Sequence, residues 1–429
     1  MNDNTIIHVV KNELCTGCGT CIAACPNDAI KLTLNEKKGI YISELDEYKC
    51  KKCGLCYKIC PGHGINLKEL NLEVFGKEPV DSLIGNYFSI YHGHSTDCSI
   101  RNNSSSGGLI TQILIFALEE GIINGALVTR MKKDNPLEPE PFIARTKEEI
   151  IEASKSKYCP VPANIALREI MRSKDGDKFA VVGLPCHIQG IRKLEKVNRK
   201  FKNKIVLHMG IVCNHAPSFF ATKFLMRKNR VKYEELQNID YRGNGWPGGM
   251  QITKKNGDKI FLPEFSEDYW GGPLNSFFFP SRCLLCNDKI CELSDASFAD
   301  AWTPELMRKD NKGTSLIISR NKRFEDILTN MILIKMIELE KSNETLPYRS
   351  QGLYKVKKRL SARMRIFELL GKKLPEYNQD IPSPDTGEEI YALKFYMFNK
   401  FFSKNPFWTF IDLYLLLLKK GAYFKSKLR

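Results

Sequence analysis

The chain has 429 residues, 43% hydrophobic and 27% charged, with 65 basic against 49 acidic residues for a net charge of +16. This balance excludes wholesale disorder, and no uncharged apolar run reaches the roughly 18 residues that a membrane helix needs. The 15 cysteines are odd in number, and Met1–Val10 lacks the charged and apolar segments of an export signal. The expectation is therefore metal or redox chemistry in a cytoplasmic protein of two or three domains, not a disulfide framework.

Eight cysteines fall within the first 60 residues, in two copies of one spacing. Cys15, Cys18, Cys21 and Cys25 precede Pro26, and Cys50, Cys53, Cys56 and Cys60 precede Pro61. Each copy reads C-x2-C-x2-C-x3-C-P, the run of bacterial two-cluster ferredoxins, in which the fourth cysteine of each copy ligates the other cluster. Iron in a sulfide cubane prefers soft thiolates, and the short gaps let one loop wrap three corners. The spacing assigns Cys15, Cys18, Cys21 and Cys60 to one 4Fe-4S cluster, and Cys50, Cys53, Cys56 and Cys25 to the other. A zinc site seldom uses two such copies. A turn and an apolar residue follow each Cys-Pro, so residues 1–70 read as a pseudo-symmetric domain that metal ligation stabilises.

Residues 71–85 read as a linker. Next comes Ser104-Ser105-Ser106-Gly107-Gly108 before a helix over 109–118, with Gly121 placed to end it. Hydroxyls and open amides at a helix N-terminus suit an anion or phosphate, although a plain cap and turn fits the same residues. Strand and helix patterns then alternate: strands over 126–129, 179–182 and 204–209, and helices over 162–171, 188–197 and 219–227. That alternation predicts an α/β domain with a partly parallel sheet, whose ligands gather at the carboxyl ends of the strands. Cys186 and Cys213 follow two such ends. Asn256-Gly257 predicts a hairpin turn. Cys283 and Cys286 form a C-x2-C pair that alone fits zinc, a redox pair or half a cluster. With Cys186 and Cys213 it makes four soft ligands for a third 4Fe-4S cluster, in which Cys291 is an alternative member. Cys98 and Cys159 are left without chemistry, His187 and His215 read as neighbours of ligands, and Phe277-Phe278-Phe279 read as core.

Residues 351–429 hold 16 basic and 7 acidic residues, +9 of the total. A proline-bearing linker over 374–387 leads to an apolar, aromatic run over 407–418 followed by Lys419-Lys420. This run is too short to span a bilayer; it fits a helix packed on the protein or on a partner, or one lying at an anionic membrane face. Nucleic acid is not expected as a partner, because no recognised module accompanies the charge.

The ordered set Ser105-Ser106-Gly107-Gly108, Ser156-Lys157-Tyr158, Gly183-Leu184-Pro185-Cys186, Cys213-Asn214-His215, Tyr241-Arg242, Gly245-Trp246, Cys283-x2-Cys286 and Ala299-Asp300-Ala301-Trp302 resembles the family of coenzyme F420 hydrogenase and dehydrogenase beta subunits, in its stand-alone branch. The resemblance implies a flavin domain over 86–345 behind the ferredoxin domain, with a helical extension over 351–429. It implies FAD against Ser105, Ser106, Gly107, Gly108, Ser156, Lys157, Tyr158 and Gly183, and a cluster on Cys186, Cys213, Cys283 and Cys286. Lys157, Tyr158 and Arg242 become candidate anion or flavin contacts. Glycine-leucine-proline-cysteine-histidine stands at 183–187 where the family often has glycine-threonine-proline-cysteine-glutamine. The implied activity is an oxidoreductase in which a flavin converts between a two-electron carrier such as coenzyme F420 and one-electron clusters serving ferredoxin or a partner redox protein. Two other readings stand beside it: a ferredoxin-dependent reductase of a small metabolite in surface polysaccharide synthesis, and an electron relay without flavin.

Overall fold

A computed structural model of the chain describes residues 5–379 and 381–427. The N-terminal part is built on the cysteine repeat. Cys18-Gly19-Thr20-Cys21 and Cys53-Gly54-Leu55-Cys56 are equivalent turns. In each, a glycine in the left-handed region (φ +89° at Gly19, +74° at Gly54) starts a short helix, Thr20–Ala24 or Leu55–Lys58, which carries the third cysteine. Only glycine takes that conformation without cost. An antiparallel hairpin, Ile30–Asn35 with Ile40–Leu45, separates the two halves.

The predicted linker over 71–85 is in part helix. Leu67–Phe75 runs through the expected boundary, and buried Asn71 holds it to the main domain by donating to Glu292 Oε1 at 2.8 Å. The second predicted linker also departs from expectation. Within it, Glu376–Tyr377 adds a parallel strand to Gly64–Ile65, so the later chain straps the ferredoxin part.

The main domain is an eight-stranded mixed sheet. From edge to edge it runs Ile337–Ser342, Ser89–Ser95, Ser315–Ser319, Ala296–Asp300, Ile205–Ile211, Phe179–Gly183, Gly125–Met131 and Pro139–Ala144. The four strands from Ala296–Asp300 to Gly125–Met131 are parallel, and the outer pairings are antiparallel. The central strands are apolar on both faces, as strands covered twice must be. Ala126, Val128, Ala180, Leu207 and Met209 face the helices Leu109–Glu119 and Lys322–Leu333. Leu127, Val181 and Ile205 face Pro185–Val197, against which the ferredoxin part packs through Ala23, Ile59 and Leu70. Each fully buried leucine or isoleucine contributes about 1.5–3 kcal/mol.

A separate three-stranded sheet, Leu236–Asp240, Gly249–Lys254 and Lys259–Pro263, carries the expected hairpin at Asn256-Gly257. Helices Val356–Leu369, Thr386–Met397 and Trp408–Lys427 complete the fold, and Phe277, Phe278 and Phe279 are core as expected. Among the described residues, no helix is long and apolar enough to cross a membrane.

Candidate functional site

The ferredoxin part brings Cys15, Cys18, Cys21 and Cys60 together, and sets Cys50 and Cys53 beside Cys56. Cys21 lies within charge range of Cys18, Cys60 and Cys15, and burial followed by their repulsion pushes its thiol up. Cys60 is likewise pushed up to about 12, by burial and by Cys18 and Cys15. Burial, and more weakly Cys53 and Cys50, raise Cys56. Backbone N–H groups point at three of these sulfurs, as thiolates require: Ala29 at Cys25, Lys52 at Cys50 and Gly62 at Cys60, each at 3.3 Å.

A third thiol group stands at the carboxyl ends of the parallel strands. Cys186 opens the helix after Phe179–Gly183, and Cys213 follows Ile205–Ile211. Burial dominates the upward shift of Cys186, and Cys18, Cys213, Cys283 and Cys286 all add to it. The four sequence-predicted cysteines are therefore neighbours, and Cys18 of the ferredoxin part adjoins them. Among the described residues, no three His, Cys, Asp or Glu side chains meet closely enough to hold one metal ion. The thiolates of a cubane bind separate irons and need not meet at one point. Cys291, the alternative member, lies buried beneath the sheet, its thiol aimed at Gly183 O at 3.9 Å. Cys159 is buried and Cys98 exposed.

Two cations join the groups. Arg282 is buried beside Cys283 and donates to Gly62 O at 2.7 Å, Pro61 O at 3.2 Å and Leu285 O at 3.1 Å. Lys193 Nζ donates to Cys60 O at 2.7 Å and Gly64 O at 3.1 Å.

Next to the third thiol group lies a buried polar cluster centred on Arg242. Arg242 Nη2 donates to Ser105 O at 2.6 Å, Nη1 donates to Tyr158 Oη at 3.2 Å, and the guanidinium spans both oxygens of Asp300 at 3.2 and 3.3 Å. It also lies over the Trp302 ring, 5.2 Å from its centre, and Trp302 stacks on Trp246 at 5.0 Å. Trp246 Nε1 donates to Asp300 Oδ1 at 2.7 Å. Glu264 Oε1 stands 3.4 Å from Arg242. Burial outweighs that guanidinium and pushes the Glu264 carboxyl up to about 8. Trp270 sets its ring edge-on to Tyr158 at 5.0 Å and to His215 at 5.3 Å. Four atoms here, Arg242 Nε, Glu264 Oε2, Trp270 Nε1 and His215 Nε2, are buried without a hydrogen-bond partner. Each such atom costs about 1–3 kcal/mol if left so.

The serine-glycine loop closes one side, and most of its polar groups are spent on the protein. Ser104 Oγ donates to Arg101 O and Ser106 O, Ser106 Oγ donates to Thr314 O, and Gly107 N–H donates to Ser315 Oγ. Ser105 Oγ accepts from Ser156 N–H at 2.8 Å and keeps its own proton to donate. Gly183 is packed tightly under His187, where an added Cβ would stand 2.8 Å from the Cβ of His187. Lys157 differs from the sequence expectation of an anion contact. Its ammonium caps a helix end by donating to Ala153 O, Ser154 O and Lys155 O, and burial presses it down to about 7. A cavity of about 160 Å³ beside it is edged by Arg130 and Lys133, both paired with Glu152, by Lys155 paired with Asp240, and by Ser156.

The sequence reading missed Glu264, Trp270, Arg282 and Lys193. None of them sits in a motif; the fold alone brings them to the site.

Residues 14–65 match the 4Fe-4S dicluster domain model. Residues 90–168 and 176–345 match the models for the N-terminal and C-terminal parts of the coenzyme F420 hydrogenase/dehydrogenase beta subunit. Over 270 residues the chain is 28% identical to the coenzyme F420 hydrogenase of Methanothermobacter thermautotrophicus in its beta subunit, covering 62% of this chain and 88% of that one. Over 350 residues it is 28% identical to an F(420)H(2) dehydrogenase subunit, that of Methanosarcina mazei, covering 78% and 92%. It is 26% identical over 346 residues to the coenzyme F420-dependent sulfite reductase of Methanocaldococcus jannaschii, covering 77% of this chain and 48% of that one. In fold it is similar to a chain of the F420-reducing [NiFe] hydrogenase complex of Methanosarcina barkeri, with TM-score 0.54, 23% identity, and coverage of 67% and 94%. The chain is an iron–sulfur oxidoreductase that belongs to the family of coenzyme F420 hydrogenase/dehydrogenase beta subunits.

Proposed function

We propose that the chain passes electrons between a two-electron carrier of the coenzyme F420 type and a one-electron partner, ferredoxin or another redox protein. Residues around Arg242 would hold FAD, and Cys186, Cys213, Cys283 and Cys286 a third cluster, which with the two ferredoxin-type clusters would supply its route in whichever direction the potentials of donor and acceptor set. The observation that carries this reading is the position of Cys186, within charge range both of Cys213, Cys283 and Cys286 and of Cys18. A cluster on those four cysteines would stand between the Arg242 site and the Cys15, Cys18, Cys21 and Cys60 set, with the Cys25, Cys50, Cys53 and Cys56 set beyond.

The Arg242 site fits FAD by its donor chemistry. The partnerless Arg242 Nε, Trp270 Nε1 and Glu264 Oε2 offer two N–H donors and a carboxyl oxygen to a ring edge rich in carbonyls and nitrogens. The Ser105 hydroxyl, which keeps a proton to donate, would be available to an anion or ribityl chain. When bound, FAD supplies the exchange between paired and single electrons. Arg242 keeps a fixed positive charge there, because burial disfavours it less than Asp300, Tyr158 and Glu264 favour it. Glu264 holds a proton near neutral pH within the same site. Tyr158, Trp270 and Phe279 exclude water around His215.

The test is anaerobic reconstitution with iron, sulfide and FAD, followed by assay with reduced F420, NAD(P)H and reduced ferredoxin as donors. Stoichiometric flavin with reduction by reduced F420 is expected. A reconstituted protein with full iron and no flavin would leave only the relay reading, and turnover of a metabolite by reduced ferredoxin without any F420 activity would establish the small-molecule reductase instead.

A further inference from the structure

The two last helices are firmly seated yet apolar on both sides. Thr386–Met397 buries Ala392, Phe395 and Tyr396 against Phe279 and Phe367. Trp408–Lys427 buries Trp408, Ile411 and Leu415 against Phe224 and Phe278, and Trp408 Nε1 donates to Ser403 O at 3.0 Å. Packing on the body thus accounts for one face of each helix. The other faces leave large apolar side chains in solvent: Ile390 (67% exposed), Leu393 (44%) and Met397 (40%) on the first, and Leu413 (55%), Leu416 (50%) and Leu417 (60%) on the second. In both helices the spacing is that of one continuous stripe. A helix that is apolar all round has two apolar partners, and the protein supplies only one.

The charges along the two stripes are mainly of one sign, the acids of the first helix, Glu388 and Glu389, standing in its first turn ahead of the stripe. Between positions 390 and 420 the chain has five lysines, Lys394, Lys400, Lys404, Lys419 and Lys420, and one acid, Asp412. Asp412 is already ion-paired with Arg227 at 2.6 Å and Lys419 with Asp268 at 2.7 Å, which leaves Lys394, Lys400, Lys404 and Lys420 for the collar. Lysine is depleted in protein–protein interfaces. An apolar stripe with a lysine collar is instead the composition of helices that lie in a headgroup layer, where apolar side chains enter the acyl boundary and ammonium groups meet lipid phosphates. Neither helix is able to cross a bilayer.

We infer that the C-terminal helices form a docking face for an anionic lipid surface, so that the oxidoreductase works as a peripheral membrane protein. Trp408, Ile411 and Leu415 fix the second helix to the body, so the face is presented without a folding step. Binding then costs little ordering entropy.

The test uses the full-length reconstituted protein and flotation with two vesicle types, pure phosphatidylcholine and phosphatidylcholine mixed with phosphatidylglycerol. Flotation with the mixed vesicles alone, weakened by salt, is expected. Lys404→Gln and Lys420→Gln should each lower the partition about five-fold, the factor corresponding to about 1 kcal/mol per charge. Leu413→Gln/Leu416→Gln/Leu417→Gln should abolish it, with iron content and thermal midpoint unchanged because these positions are exposed. Absence of flotation with mixed vesicles would overturn the inference, as would equal binding to neutral vesicles. Sedimentation showing a concentration-dependent dimer that the triple leucine variant dissociates would also overturn it, by assigning the face to a second copy.

Discussion

Glu264 is a carboxyl group that its surroundings hold protonated. Arg242 stands close by, but it gives its fork to Asp300, so burial decides the outcome and raises the carboxyl from 4.5 to about 8. A carboxyl raised in this way favours the fold while it is neutral. Its contribution is whole below pH 4.5, the unfolded value, and is lost as the pH rises through about 8, the folded value. Glu264→Gln keeps the shape and removes the titration. Anaerobic thermal melts should therefore show a flatter dependence on pH between those limits for the variant than for the wild type; parallel curves would count against a buried neutral carboxyl. Arg282 presents the opposite case, a buried charge with three backbone acceptors. Arg282→Met should cost about 2–5 kcal/mol in denaturant unfolding. It should also lower the midpoint of the nearest cluster in an EPR redox titration, because a positive charge that favours the reduced state is gone. Arg242 could be read from the sequence because it sits in a recognisable pair with Tyr241. Glu264 and Arg282 could not, since Arg242 and, for Arg282, the acceptors Pro61 and Gly62 are brought to them only by the fold.

At the scale of elements, the parallel strands were legible because Phe179–Gly183 and Ile205–Ile211 are short apolar runs followed by cysteine. The strands Ala296–Asp300, Ser315–Ser319 and Ile337–Ser342 escaped a sequence reading. Each is brief and includes polar residues, and each owes its pairing to partners far off in sequence, such as Ser315 with Gly93. Helix Leu67–Phe75 was missed because its polar Asn71 looked like a linker residue, whereas the fold buries it on Glu292. One polar knot holds three elements at the end of the sheet away from the cysteines. His208 Nε2 meets Glu195 Oε1 at 2.7 Å, its Nδ1 meets Asp295 Oδ2 at 3.0 Å, and Arg192 bonds both carboxylates at 3.0 and 3.2 Å. Burial and Arg192 pull the imidazole down, but the two carboxylates outweigh them and it ends raised above 6.5. A raised imidazole stabilises the fold fully below its unfolded value and loses that contribution as pH rises through the folded one. His208→Asn leaves two buried carboxylates short of a counter-charge, and a loss of about 3–5 kcal/mol is expected in chemical unfolding near pH 6. A loss below about 1 kcal/mol would mean that Arg192 alone neutralises the pair.

For the whole molecule, the decisive arrangement is the order of the thiol groups. The ferredoxin spacing is readable because eight cysteines in two equal runs leave few other chemistries. The neighbourhood of Cys18 and Cys186 is not readable, because it depends on how the N-terminal part packs onto helix Pro185–Val197. On the route proposed above, that packing would make a linear path whose middle is open to experiment. Cys186→Ser should remove about four irons per chain, one cubane's worth, while leaving the two ferredoxin-type clusters and the flavin content intact. Cys291→Ser should leave iron unchanged, since that thiol faces Gly183 O beneath the sheet. Mixed anaerobically with reduced F420, Cys186→Ser should still show bleaching of its flavin absorbance in a stopped-flow trace. The EPR signals of the ferredoxin-type clusters should stay silent over the same interval, because the step between the Arg242 site and Cys18 is missing. Signals that rise at the wild-type rate would show that electrons reach the ferredoxin part without the cysteines at 186, 213, 283 and 286.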